Sequence, residues 1–62
     1  MIELYETRVD TIYWLGYEDD EYVVTKRELN GSVSWDIECV RYGGVANSSK
    51  LGKKLINFIR EL

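Results

Sequence analysis

The segment Tyr22-Val23-Val24-Thr25-Lys26-Arg27-Glu28-Leu29-Asn30-Gly31-Ser32-Val33-Ser34-Trp35-Asp36-Ile37-Glu38-Cys39 decides the fold. At its centre stands Asn30-Gly31, the dipeptide that best tolerates the positive φ angles of a two-residue type I′ hairpin turn. A two-residue loop there sets Tyr22 opposite Cys39, Val24 opposite Ile37, Lys26 opposite Trp35 and Glu28 opposite Val33. The apolar residues meet one another. The alternate positions pair Val23 with Glu38, Thr25 with Asp36 and Arg27 with Ser34, a mostly polar face. Because a slip of one residue would reverse every side chain, this agreement argues for one register and one covered side.

Working toward the N-terminus, Glu18-Asp19-Asp20-Glu21 interrupts two apolar runs, and Asp supports turns by bonding its own backbone. A second hairpin with Asp19-Asp20 at its tip would set Tyr17 opposite Tyr22, Leu15 opposite Val24 and Tyr13 opposite Lys26. The shared inner face is then Tyr13, Leu15, Tyr17, Tyr22, Val24, Val33, Trp35, Ile37 and Cys39, the period-2 pattern of an antiparallel meander with one buried side. Residues 2 to 8 are left open: Ile2 and Leu4 either extend the first strand or form a short fourth one.

Toward the C-terminus, Gly43-Gly44 ends the third strand and the period changes. Leu51, Leu55, Phe58, Ile59 and Leu62 recur in steps of three and four, one stripe of a helix with Ile56 at its flank. Asn47, Ser48 or Ser49 caps its start. Gly52 costs roughly 1 kcal/mol against Ala in a helix interior, so the helix depends on docking its stripe against the sheet. The expected fold is α+β: an antiparallel β-meander of three strands, or four, with one C-terminal helix on one face. The expected single domain spans residues 1–62, with strands at about 9–17, 21–29 and 32–42 and a helix at about 48–61.

With 62 residues there is room for a thin core only. His is absent and Cys39 is the single cysteine, which removes His/Cys zinc sites, Ser-His and Cys-His pairs, and any intrachain disulfide. A catalytic pocket is hard to build in two thin layers, and no enzyme activity, cofactor or metal is expected. The longest apolar run, Ile12 to Leu15, is far short of a bilayer span, and the first residues lack the basic start and apolar stretch of a signal peptide, so neither export nor membrane insertion is expected. A cytoplasmic protein is expected.

Charge is polarised. Net charge is −3, but residues 1–44 carry ten acids against four bases and residues 45–62 carry four bases against one acid. Lys50, Lys53 and Lys54 fall in the first helical turns, where the macrodipole favours anions. With Ser48 and Ser49 they form a candidate anion site, set against the plainer reading of lysines loosely paired with acids of the sheet. The segment Gly44 to Leu51 lacks the second Gly and the metal-binding hydroxyl of a nucleotide-binding loop. The acidic turn lacks the spacing and central Gly of a calcium loop and reads as a solvated tip. Cys39 lies among apolar positions and reads as a buried thiol.

The outward face is the more informative surface. Ile12 and Trp14 point away from the helix beside Val23, with Arg27 nearby. Exposed apolar residues rimmed by charge mark binding sites, and Trp and Arg are over-represented at interface hot spots. The sequence therefore points to a small protein-binding module, an inhibitor or regulator acting by occupying a partner's surface, through Ile12, Trp14, Val23 and Arg27. A homodimer contact would use the same patch, and the plainer reading folds the N-terminal segment over it, with Ile2 and Leu4 completing a second small core. The alternative is a nucleic-acid-binding β-β-β-α domain using the basic helix, which the acidic sheet opposes.

Overall fold

The computed structural model describes the backbone of residues 8–62 and the side chains of residues 9–62. The expected positions of Ile2 and Leu4 lie outside the described residues. Among the described residues four strands follow one another as an antiparallel meander: β1 (Arg8–Tyr17), β2 (Asp20–Leu29), β3 (Ser32–Cys39) and β4 (Gly43–Val45), in the order β1-β2-β3-β4. One helix, α1 (Lys50–Arg60), lies on one face. The fold is the expected α+β meander with a C-terminal helix.

The β2–β3 hairpin has the register set by Asn30-Gly31. Tyr22 faces Cys39, Val24 faces Ile37 and Lys26 faces Trp35. Asn30 and Gly31 both take positive φ, 50° and 84°, as a type I′ turn requires.

The first hairpin turns one residue earlier than expected. Its two-residue turn is Glu18-Asp19, at φ 48° and 67°, and Asp20 already belongs to β2. Tyr17 therefore faces Asp20, Leu15 faces Tyr22 and Tyr13 faces Val24. Every pairing is displaced by two residues from the expected one, yet every side chain keeps its face, because the side-chain period of a strand is two.

β3 ends at Cys39 rather than running on to residue 42. Val40 to Tyr42 turn the chain, and Gly43 and Gly44, expected only to break a strand, form β4 with Val45. Gly43 has φ 93°, a conformation that side chains rarely adopt. Among the described residues the fourth strand thus comes from the C-terminal side of the meander.

The helix begins at Lys50 with Ser49 as its N-cap. The Ser49 hydroxyl accepts from the Gly52 N–H at 2.9 Å and donates to the Ala46 carbonyl at 2.6 Å. The residues α1 buries are Gly52, Leu55, Ile56 and Ile59. This stripe is rotated from the expected one: Ile56 is buried, whereas Phe58 and Leu62 are exposed. Gly52 supplies the reason. A Cβ there would collide with the Ala46 carbonyl, so the absent side chain lets the helix lie directly on the connection from β4, turning Ile56 inward. The flexibility that Gly52 costs in an isolated helix is offset by a close approach that only glycine allows.

The core consists of Tyr22, Val24, Ile37 and Cys39 from the sheet and Leu55, Ile56 and Ile59 from the helix, with Tyr13, Leu15, Tyr17, Trp35, Val45 and Leu51 packed around it. Of the expected inner-face residues, only Val33 is left open, at 50% exposure. Lengths explain this. A ten-residue strand spans about 33 Å and an eleven-residue helix about 16 Å, so α1 covers the end of the sheet near β4 and leaves the Asn30-Gly31 end bare. Val9, on the same face and 51% exposed, shares that fate.

Candidate protein-binding surface

The outer face of the sheet collects the residues expected to bind a partner. Trp14 lies directly opposite Val23, and Ile12 opposite Thr25. Trp14 is 69% exposed and Ile12 60% exposed, while Val23 between β1 and β3 is half-buried. Arg27 is exposed and faces Asp10 on one side and Ser34 on the other. Beyond Val23 and Thr25 come Glu38 and Asp36. All four residues therefore stand on one face, a short apolar strip on β1 and β2 bordered by an acidic strip on β3. The backbone register alone places them there, since Ile12, Trp14, Val23 and Arg27 occupy the positions that alternate with the core.

The expected anion site is not gathered in the same way. Lys50 and Lys54 line a depression of about 440 Å3 with Tyr17, Glu18, Asp20, Tyr22 and Leu51. Two carboxylates thus share this space with the two ammonium groups. Lys54 donates to the Tyr17 hydroxyl at 2.8 Å and sits 5.1 Å from the centre of that ring. The bond to Tyr17 and that group's charge hold the Lys54 pKa above the usual lysine value. Ser49 spends its hydroxyl on the cap, and Lys53 stands exposed outside the depression. The basic cluster is divided between a helix-to-sheet tie and open solvent.

Tyr22 is the buried residue among those lining that depression. Burial raises its hydroxyl pKa, and the neighbouring Cys39, Asp20, Glu18 and Tyr17 add to the rise. Cys39 itself is buried in the core as expected. In the acidic turn, Asp20 lies 3.9 Å from Arg41. Among the described residues no three metal-capable side chains share a site, and no helix is long and apolar enough to cross a membrane.

Three features had weaker signals in the sequence. Trp35 holds two cations near its ring, Lys26 and Arg60, each 5.8 Å from the ring centre, and Lys26 also pairs with Glu28 at 3.3 Å. Phe58, 55% exposed, forms a groove of about 330 Å3 with Trp14, Leu15, Gly16, Tyr17, Lys54 and Leu55 along β1. The Val40–Tyr42 turn exposes Val40 and Tyr42, with Arg41 5.2 Å from the Tyr42 ring centre. The sequence names each residue, but only the docking angle of the helix tells which aromatic is left outside.

No protein-family model, curated protein or solved structure matches the chain.

Proposed function

We propose that this protein is a small protein-binding module, an inhibitor or regulator that acts by occupying a partner's surface with the outer face of its sheet rather than by catalysis. The observation that carries the reading is the exposure of Trp14 and Ile12 beside Val23, on a face that the helix leaves uncovered. Trp and Ile buried against a partner supply hydrophobic free energy, while Arg27 and the Asp36/Glu38 strip give orientation at the rim. A partner with an apolar cleft flanked by basic residues has the complementary chemistry.

The nucleic-acid alternative draws less support. Lys26, Arg60 and Lys54 already sit against rings of their own chain, and the face that carries Trp14 also carries Asp36 and Glu38. Phosphate binding needs a basic footprint on one surface.

The test compares the wild-type chain with Trp14→Ala as baits in affinity capture from the native host, followed by mass spectrometry. Partners retained by the wild type should be lost from the variant, whose thermal melt stays unchanged. Equal capture by both overturns the assignment of this face, and retention of oligonucleotides in a low-salt gel shift would favour the alternative.

A further inference from the structure

The backbone direction along β1 can be read from one hydrogen bond. Val40 donates to the Glu21 carbonyl at 3.0 Å, so odd-numbered residues of β2 turn their backbone groups toward β3 and even-numbered ones toward β1. With Tyr13 facing Val24 and Leu15 facing Tyr22, the odd residues of β1 bond to β2. Ile12, Trp14 and Gly16 then point their N–H and C=O groups outward from the sheet edge. Ten residues of edge strand stand open there among the described residues, with no Pro, no Lys and no bulge, which are the usual devices against strand addition.

Gly16 is a second, independent observation. A glycine inside a strand weakens it, and one reason to keep it is the close approach of another backbone. Among the described residues nothing lies within 4 Å of where its Cβ would stand, so no contact they make demands it. That space lies over the outer face beside Trp14, where a side chain of a strand paired with β1 can rest across the glycine.

We propose that β1 pairs antiparallel with β1 of a second copy, about a two-fold axis through Tyr13, joining two four-stranded sheets into one of eight strands. On the outer face this axis sets Ile12 against Trp14 of the partner copy, twice by symmetry, and Asp10 against Gly16. On the helix side it sets Val9 against Tyr17 and Thr11 against Leu15, so the exposed Val9 closes over the groove lined by Leu15, Tyr17, Leu55 and Phe58. The position of Arg8 comes alongside Glu18. No like charges face each other.

Neighbouring registers are worse for one residue, Asp10. Moving the axis one or two positions toward the turn sets Asp10 beside Glu18 or Asp20 of the partner copy. Moving it the other way sets Asp10 against Trp14 or Ile12, burying a carboxylate against apolar surface. Only the axis through Tyr13 gives it a glycine. The pairing leaves the functional reading above intact, because both copies of Trp14, Ile12 and Val23 then lie on one continuous outer face.

The experiment uses the full chain. Light scattering coupled to size exclusion, at roughly 100 μM protein, should return twice the chain mass of 7.3 kDa. Trp14→Lys, a change at an exposed position, should return the single-chain mass with an unaltered far-UV spectrum. Tyr13→Cys should form a disulfide-linked dimer on mild oxidation, since non-hydrogen-bonded antiparallel partners bring their Cα atoms to about 4.5 Å. Thr11→Cys should not, because its expected neighbour is Leu15. A single-chain mass for the wild type overturns the proposal, and so does a dimer that Tyr13→Cys fails to link or that Thr11→Cys links equally well. A monomer that still loses its partners on Trp14→Ala would overturn this pairing alone, and a dimer that captures partners equally well with Trp14→Ala would overturn the functional reading alone.

Discussion

The two edges of this sheet carry the same kind of backbone and differ in how it is covered. On the far edge, β4 pairs with Ile37 and Cys39 of β3, and where β4 stops, the Asn47 side chain donates to the Trp35 carbonyl at 2.7 Å. The chain then passes through Ala46, whose carbonyl receives both the N–H and the hydroxyl of Ser49, directly into the helix. On the near edge none of the described residues covers β1 in this way. The polar residues between Val45 and Lys50 are therefore an edge cover as much as a helix cap.

The largest effect expected from breaking the covered edge is that of Gly52→Ala. Ala is the better helix former by roughly 1 kcal/mol, but its Cβ meets the Ala46 carbonyl. We expect a net loss of about 2 to 3 kcal/mol, read as a fall in the urea midpoint. A gain in stability would show that α1 can lift from the β4 connection without loss.

Ser49→Ala should cost about 1 kcal/mol, the ordinary value of an N-cap, measured in the same titration. Asn47→Ala should cost about 0.5 to 1 kcal/mol, since its bond is solvent-exposed. Hydrogen exchange would sharpen the second result, with protection falling locally around Trp35 while the β1–β2 pairing is unchanged. Trp14→Ala, on the open side, should change the stability of the single chain, measured at protein concentrations too low for two copies to pair, by less than about 0.5 kcal/mol. A larger loss would mean that Trp14 supports the fold rather than a partner.

The gentlest probe is pH. Lys54 and Tyr22 both have pKa values raised in the folded state, so each contributes stability that is fully present below its unfolded value, near pH 10, and is lost as pH rises through the folded value. Stability should be level in that respect through neutrality and decline in alkali. Tyr17→Phe, which removes the acceptor that ties Lys54 and the helix to β1, should lessen the decline. An equal alkaline decline in both chains would remove the Lys54 contribution.

Legibility in the sequence followed how local each determinant is. Asn30-Gly31 announces its own register because two adjacent residues must take positive φ. Glu18-Asp19-Asp20-Glu21 offers four similar residues, and Glu at positive φ has no propensity to betray it, so the turn is visible but its centre is not. The error was harmless to the faces, and Ile12, Trp14, Val23 and Arg27 could be assigned to one surface without the correct partners. The rotation of α1 was hidden for a different reason. Ile56 and Phe58 are equally apolar, and the choice between them is made by Gly52 meeting Ala46, a contact across a loop that no periodicity records. β4 was hidden because its first two residues are glycines, which read as a break when the pairing comes from Ile37 and Cys39 beyond them.

The mismatch between the strands and the helix also separates where folding starts from where it is best held. The Asn30-Gly31 turn can close its hairpin on the microsecond scale, before distant parts of the chain meet, and so select the register that the core later requires. Yet that turn ends up on the bare end of the sheet, past Trp35, with Val9 and Val33 uncovered. The first contacts to form are thus among the first to open again: the amides of Arg27–Leu29 and Ser32–Ser34 should exchange through local fraying, while those at Val24 and Ile37 wait for the whole domain to unfold.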